Sequence, residues 1–582
     1  MLYKKAYLWY NVVMYLRVSS RTNKDGSKVE YVQLAHNYRD PETKTPKAKI
    51  LYNFGRREEV DEEALRRLVK SICRFLKPED VKEVAEELGE DWPFEFLGAK
   101  QLGGVWVLDK MWNDFGIGKV IKRLLKKRQH RLPIERLLFA MVANRALSPA
   151  SKLAVEPWVK QEVCIDGLEE VEVHQLYRAM DFLLEAEEEL QKEVFFEVAN
   201  LFNLEVDVIF LDTTTTYFEI DREDQDIFDE SGEIVEEGYR RYGRPKADRP
   251  RLPEVVIAFA VTRNGIPVRC WNWPGATSDQ NILEEVKRDL NKWRLGRVIT
   301  VADTGFNSEK NRRILQGAGG HYITGEKLSH GSKAIPAEAL QRGGNYRGLE
   351  NGLKIKEVVV GNGVARRRFV VAFNPEEAEK QQKEREEIVI ETKKRLEALK
   401  QLDGEPHRKE ACALRAHAVL GRYIRQTKTG KLRLNKVKIK DESKFDGKFI
   451  VTTSDDTLSP EDVVMGYKQL NDVERVFLDL KHTIDIRPVF HRIPDRIKAH
   501  VLLCWIAILL IRLAENKTDM TWRKMKEELN PLQVGIHRTK FGEVWQTNPL
   551  TNKQKDIFRK LRFKQPPRLL KILTGSDTSN TS

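Results

Sequence analysis

Three acidic residues carry the chemistry that this sequence could perform. Asp212 closes the run VIFL and is followed by four threonines and Tyr217. Asp303 closes VITVA and is followed by Thr304, Gly305 and Phe306. Glu474 stands seven residues after Tyr467 and seven before Lys481. Short runs rich in Val, Ile, Phe and Leu read as buried central strands. A carboxylate delivered by such a strand is held on a rigid element, as a metal ligand must be. Two carboxylates that meet repel each other unless a cation sits between them. Hard oxygen donors completed by water suit Mg²⁺, with Mn²⁺ as a substitute. Plainer readings stand beside this one. Asp after a strand often caps a turn, and Glu–Lys spacings are common on solvated helix faces.

The order of the elements that must position these acids is informative. After the Asp212 strand come a strand over 254–262, the turn Arg263-Asn264-Gly265, and a returning strand over 266–273. A helix capped by Ser278 or Asp279 leads to the Asp303 strand, and a further helix starts at Ser308. Three antiparallel strands, then a helical crossover to a fourth strand parallel to the first, is the pattern of an RNase H-like core. In that pattern Asp212 and Asp303 lie at strand ends on the same edge of the sheet. Ser459-Pro460-Glu461-Asp462 is a strong helix start. One helix predicted over 459–485 would hold Tyr467, Glu474 and Lys481 within roughly 40° of one another. The stripe Leu470, Val473, Phe477, Leu480 and Ile484 would lie roughly 80° away and pack inward.

The chain of 582 residues, 41% hydrophobic and 32% charged, implies two to four globular domains. A net charge of +13 and a pI of about 9.2 favour an anionic partner, most simply nucleic acid. Five cysteines, none in a CxxC pair, support neither a disulfide framework nor a cysteine zinc site. A reducing, cytoplasmic location is expected from this. No signal peptide is read at the N-terminus. The most apolar helix, 500–513, is too short for the roughly 20 residues that span a bilayer, so it is expected in the core, with no membrane partner.

Residues 1–90 read as an α+β module, with strands to about residue 58 and a helix over 61–90. Residues 97–202 read as amphipathic helices. Lys122, Arg123, Lys126, Lys127 and Arg128 lie among them. That cluster suits a helix-turn-helix type of DNA reader and equally a solvated helical face. Residues 219–250 read as a mobile surface loop. The core is expected in two parts, 203–325 and 451–515, interrupted by an inserted, mainly β subdomain over 326–450 with a charged helical arm. Lys431–Lys440 alternates as a strand would. Residues 516–582 form a basic C-terminal region. The fold class is α/β.

The segments VIFLDTTTTYFE and VITVADTGFNS, with the Y-x₆-E-x₆-K spacing, resemble the DDE transposases of the IS4 superfamily, and within it the IS1634-type group. RNGIPV, PGATSD, YVQLAHNYRD and RPVFHRIPDRIKAHVLLCWIAILL resemble that group too. The resemblance implies that Asp212, Asp303 and Glu474 are the catalytic, metal-binding triad. It implies a pair of Mg²⁺ ions, and Tyr467 and Lys481 on DNA phosphates. The substrates would be the element's terminal inverted repeats and target DNA, held by a homodimer at the nucleoid. The reaction would be DNA cleavage followed by transfer of 3′-OH ends. One position departs from the pattern: Leu470 stands where the group often has Arg, and Arg475 or Lys468 is the substitute contact. A DNA-binding protein derived from a transposase, its catalytic site idle, is the alternative, and a nuclease without strand transfer is a third.

Overall fold

The computed structural model describes residues 14–574, apart from 25, 41–42, 44, 62–94, 127–131, 203–206, 244–251, 294–297, 327, 329–344, 351, 364–365, 471–475, 477, 480, 487–488, 490 and 540–541. The chain divides into two compact units, Met1–Glu95 and Phe96–Ser582. In the first, β1 (Met14–Thr22), β2 (Lys28–Arg39) and β3 (Pro46–Arg56) form an antiparallel meander with Leu16 opposite Leu34. The expected helix over 61–90 lies outside the described residues.

The second unit opens with β4 (Glu95–Gln101) and a helical layer: α1 (Gly103–Asp114), α2 (Ile117–Lys126), α3 (Ile134–Leu147), α4 (Lys152–Pro157), α5 (Val173–Glu185) and α6 (Glu187–Phe202). α3 is mostly apolar and buried almost throughout, its polar Glu135, Asn144 and Arg145 included.

β5 (Val208–Tyr217) corrects the sequence reading. The strand does not stop at Asp212 but continues through the threonines to Tyr217. β-branched side chains suit an extended backbone. The hairpin β6 (Ile227–Phe228) with β7 (Ile234–Glu236), and then β8 (Arg241–Tyr242), come next in the chain. This stretch, expected as a mobile loop, is tied down. Asp226 accepts from Gly238 N–H at 2.8 Å, and Asp224 accepts from Arg240 Nη2 at 2.5 Å.

β9 (Pro253–Thr262) pairs antiparallel with β5 from Ile209↔Thr262 to Tyr217↔Glu254, which is what carries β5 past Asp212. β10 (Pro267–Pro274) returns beside β9, and α7 (Asp279–Lys292) crosses to β11 (Ile299–Ala302). β11 lies parallel to β5. α8 (Glu309–Gln316) then leads to β12 (His321–Glu326), parallel to β11.

Residues 326–450 do not make a separate β subdomain. β13 (Arg347–Gly348), β14 (Lys354–Val360) and β15 (Arg367–Phe373) extend the main sheet, whose order is β10-β9-β5-β11-β12-β18-β15-β14-β13. The link is β18 (Lys448–Thr453), antiparallel to β12 on one side and to β15 on the other. Without β18, β12 would present a row of unpaired backbone groups at the sheet edge. Between β15 and β18 lies a smaller cluster of Leu399, Leu414 and Leu420. It is formed by α9 (Pro375–Leu399), α10 (Gly404–Ala416), the pair β16 (Ile424–Gln426) and β17 (Leu432–Leu434), and α11 (Lys436–Ser443). The strand expected over Lys431–Lys440 thus ends at Leu434. Asn435 accepts from Lys438 N–H at 3.1 Å and starts a helix there, the usual work of Asn at an N-cap.

α12 (Pro460–Lys468) precedes α13 (Pro494–Thr518), which is longer than its apolar segment suggested. α13 is long and apolar enough to cross a membrane, yet 89% of its apolar window is buried inside the protein. It packs on α3, α5 and β10. Each Leu or Ile so enclosed contributes roughly 1.5–3 kcal/mol, which makes α13 a principal anchor of the core. α14 (Trp522–Leu529), β19 (Gln533–Thr539), β20 (Gly542–Thr547), α15 (Asn552–Leu561) and β21 (Leu569–Thr574) complete the chain, the strands joining β4 in a four-stranded sheet.

Candidate active site

The parallel register of β5 and β11 runs from Val208↔Ile299 to Leu211↔Ala302. The next residue on each strand is Asp212 and Asp303. Adjacent strands lie about 4.8 Å apart, so the two acids stand abreast although far apart in sequence. Their surroundings differ. Asp212 is half-buried within a continuing strand, and its Oδ1 accepts from Thr213 N–H at 2.7 Å. Asp303 is exposed where β11 ends, and it starts the 3₁₀ turn Thr304–Phe306. Phe306 N–H closes that turn onto Asp303 O at 3.0 Å.

Two side chains brace the turn. Asn307 Nδ2 donates to Gly325 O at 2.8 Å, and Asn311 Nδ2 donates to Phe306 O at 2.9 Å. Neither was singled out from sequence, though Asn307 belongs to the same short segment as Asp303.

Tyr467 reaches this edge from α12. Ser459 caps that helix as expected, its Oγ accepting from Asp462 N–H at 3.0 Å with Pro460 in the first turn. The Tyr467 hydroxyl donates to Asp303 Oδ1 at 3.1 Å. Its ring stacks on Phe449 at a centroid distance of 6.2 Å. Gly325 makes room for it: a Cβ there would fall 2.2 Å from the Tyr467 hydroxyl oxygen.

The helix expected over 459–485 is interrupted at Gln469, whose N–H caps α12 backward onto Met465 O and Tyr467 O, and helical residues resume at Leu470, Val476, Leu478, Asp479, Lys481 and His482. Glu474 and Arg475 are outside the described residues, as are Lys127 and Arg128. Lys481 is half-buried. Leu470 is buried in the main core with Ile484, so this position turns inward rather than toward a phosphate. Among the described residues, no group of three His, Cys, Asp or Glu side chains comes together; Asp212 and Asp303 are two of the expected three.

The basic cluster on α2 is partly satisfied by acids. Lys119 faces Glu197 at 3.8 Å and Lys122 faces Glu135 at 3.5 Å, while Arg123 pairs with Glu193. Lys126 is exposed.

Residues 240–510 match the model of the transposase DDE domain. The chain is a transposase of the DDE class. Residues 16–84 match the N-terminal domain of IS1634 family transposases, and the chain belongs to that type. Asp303 and Glu474 fall inside the DDE match, and Asp212 precedes it. No curated protein matches the chain significantly. Among solved structures, a piggyBac transposase synaptic complex with hairpin DNA aligns over 74% of this chain and 79% of that one, at 10% identity and a TM-score of 0.33. A Mos1 transposase paired-end complex with the left transposon end aligns over 35% of this chain and 57% of that one, at 13% identity and a TM-score of 0.14.

Proposed function

We propose that this transposase binds the terminal inverted repeats of its element, cleaves DNA there and transfers the freed 3′-OH ends to target DNA. Asp212, Asp303 and Glu474 are the catalytic acids. The observation that supports the reading is the β5–β11 register, in which Asp212 and Asp303 each follow the last paired residue of their strand. The core is read as RNase H-like, supported by the order β10-β9-β5-β11-β12 with β5, β11 and β12 parallel.

DDE transposase domains use divalent metal ions, and the residues present fit one. Two carboxylates abreast, one of them exposed, are hard oxygen donors that suit Mg²⁺ or Mn²⁺. Asp212 and Asp303, joined by Glu474, would hold the ions. Bound there, divalent metal activates the attacking oxygen and stabilises the leaving one.

The rest falls to the chain's own side chains. The attacking oxygen is that of water in the first step and of the 3′-OH in the second. It gives up its proton and forms a bond to phosphorus as the bond to the leaving 3′-oxygen breaks, and that oxygen takes up a proton in turn. Tyr467 orients Asp303 through its hydrogen bond. Lys481 and Tyr467 contact phosphates near the scissile bond, Lys481 as a point charge. Arg475 is a further phosphate contact. The net charge of +13 favours the polyanion throughout. The working form is a homodimer on paired ends, in the cytoplasm at the nucleoid. The inward-turned Leu470 favours the alternative of a DNA binder with an idle site.

The test incubates supercoiled donor DNA, with and without element ends, with Mg²⁺ and the wild type, Asp212→Asn or Asp303→Asn. Joined products from wild type alone, with DNA retardation kept by both variants, are expected. The loss of a carboxylate charge cannot weaken phosphate attraction. Cleavage by Asp303→Asn at the wild-type rate would remove Asp303 from the mechanism. Retarded but uncut DNA with wild type would support the idle-site alternative.

A further inference from the structure

The helical layer contains a second concentration of charge, separate from the sheet edge. Asn144 and Arg145 near the end of α3, Lys152 at the start of α4, and His500 on α13 are all buried, with relative exposures of 0%, 3%, 3% and 2%. Arg145 and His500 converge on one turn. Arg145 Nη1 donates to Asp485 O at 3.2 Å, and His500 Nε2 lies 3.4 Å from the next carbonyl, Ile486 O. Arg145 Nη2 also donates to Ala150 O. The His491 ring lies 5.6 Å from that of His500.

What the two cations lack is an acceptor. Lys152 Nζ, Arg145 Nε, His500 Nδ1 and both side-chain amide atoms of Asn144 have no hydrogen-bond partner among the described residues. The cationic neighbours act in one sense, and the Cys504 side chain, which acts in the other on Lys152 and Arg145, is kept a thiol by burial. Arg145 presses the Lys152 pKa down, and Arg145, Lys152 and His491 press that of His500 down, after burial itself. Asp485 acts on Arg145, but its side chain is exposed. Burying like charges without a counter-ion is among the costlier arrangements in a protein, and each orphaned donor adds to it.

We propose that Asn144, Arg145, Lys152 and His500 form a buried binding site for an oxyanion of the phosphate class. The Lys152 ammonium, the Arg145 Nε–H and the Asn144 amide N–H are donors in want of an acceptor, with no carboxylate among them. A tetrahedral oxyanion, which only accepts, is the complement of that set. The anion would also steady the turn at Asp485 and Ile486, which comes after the segment bearing Lys481. The source is free phosphate or a phosphodiester of DNA, the shared chemistry being the phosphate oxygens. The inference does not depend on the catalytic reading.

The full-length chain, freed of phosphate, would be titrated with sodium phosphate at constant ionic strength, by calorimetry and by thermal unfolding. The expected result is a saturable heat and a rise of a few degrees in unfolding temperature that levels off, as binding to the native state requires. General salting-out by phosphate stabilises without saturating. Lys152→Met should lose the saturable part while melting no lower than wild type without phosphate, because it removes an uncompensated buried charge. Lys152→Arg should retain it. A repeat with a saturating short duplex separates the sources: phosphate heat abolished by the duplex assigns the site to DNA, and heat that persists assigns it to the free anion. No saturable heat with wild type overturns the proposal even if a variant fails to fold, and so does an undiminished response in a folded Lys152→Met.

Discussion

The Tyr467 hydroxyl donates to Asp303 Oδ1 at 3.1 Å, joining α12 to the strand end that carries an acid of the proposed triad. The bond holds one carboxylate oxygen in place and leaves Oδ2 beside the Thr304 hydroxyl at 3.5 Å. Tyr467→Phe would keep the stack on Phe449 and remove only the donor. A hydrogen bond to a charged group is worth about 1.5–3 kcal/mol, so strand cleavage should slow by roughly 10- to 100-fold. The unfolding temperature should barely move. A nicking time course beside a thermal melt checks both.

Gly325 tests the same contact from the other side. A Cβ there would meet the Tyr467 hydroxyl oxygen at 2.2 Å and Cζ at 2.7 Å, so Gly325→Ala must displace the ring. Cleavage should fall at least as far as in Tyr467→Phe. In a Tyr467→Ala background the same change should cost little more, since the two act through one contact. Equal, additive losses in the double mutant would show that Gly325 acts elsewhere.

Charges on α2 should divide into two groups. Lys119, Lys122 and Arg123 face Glu197, Glu135 and Glu193, whereas Lys126 is exposed. Replacing Lys126 by Ala should lower the slope of log affinity against log salt by about one, the worth of one phosphate contact. Single replacements of the three paired residues should each lower it by less. Filter binding across a salt series reads the difference, and an unchanged slope for Lys126→Ala would leave α2 a solvated face.

Burial, with Arg145 nearby, lowers the Lys152 pKa to about 7, against about 10.4 in an unfolded chain. Between these values the unfolded state binds the extra proton, so stability rises with pH across that window. Below pH of about 7 the lysine is charged in both states and the slope disappears. Denaturant unfolding in phosphate-free buffer should show stability climbing from pH 7 to pH 9, and Lys152→Met should flatten that part of the curve.

Much of this protein is written locally. VIFLD and VITVAD each contain the apolar run that makes a buried strand and the acid next to it, and Ser459-Pro460 states where α12 begins, because capping and side-chain alternation act over a few residues. Other features depend on partners distant in sequence. The threonines after Asp212 permit β5 to continue, and β9 decides it by pairing through to Glu254. Nothing in 354–373 says that its hairpin extends the main sheet, because that depends on β18 filling the edge of β12. In Lys431–Lys440 the alternation pointed to a strand, and an Asn cap prevailed after Leu434. Lys152, in a region read only as amphipathic helices, is buried within the layer where α3, α4, α5 and α13 pack on one another. The acids, the local elements and the basic balance are therefore legible in the residues themselves. The meeting of Tyr467 with Asp303, the inward turn of Leu470 and the buried cations belong to the folded chain, since backbone pairing and burial are properties of neighbours in space.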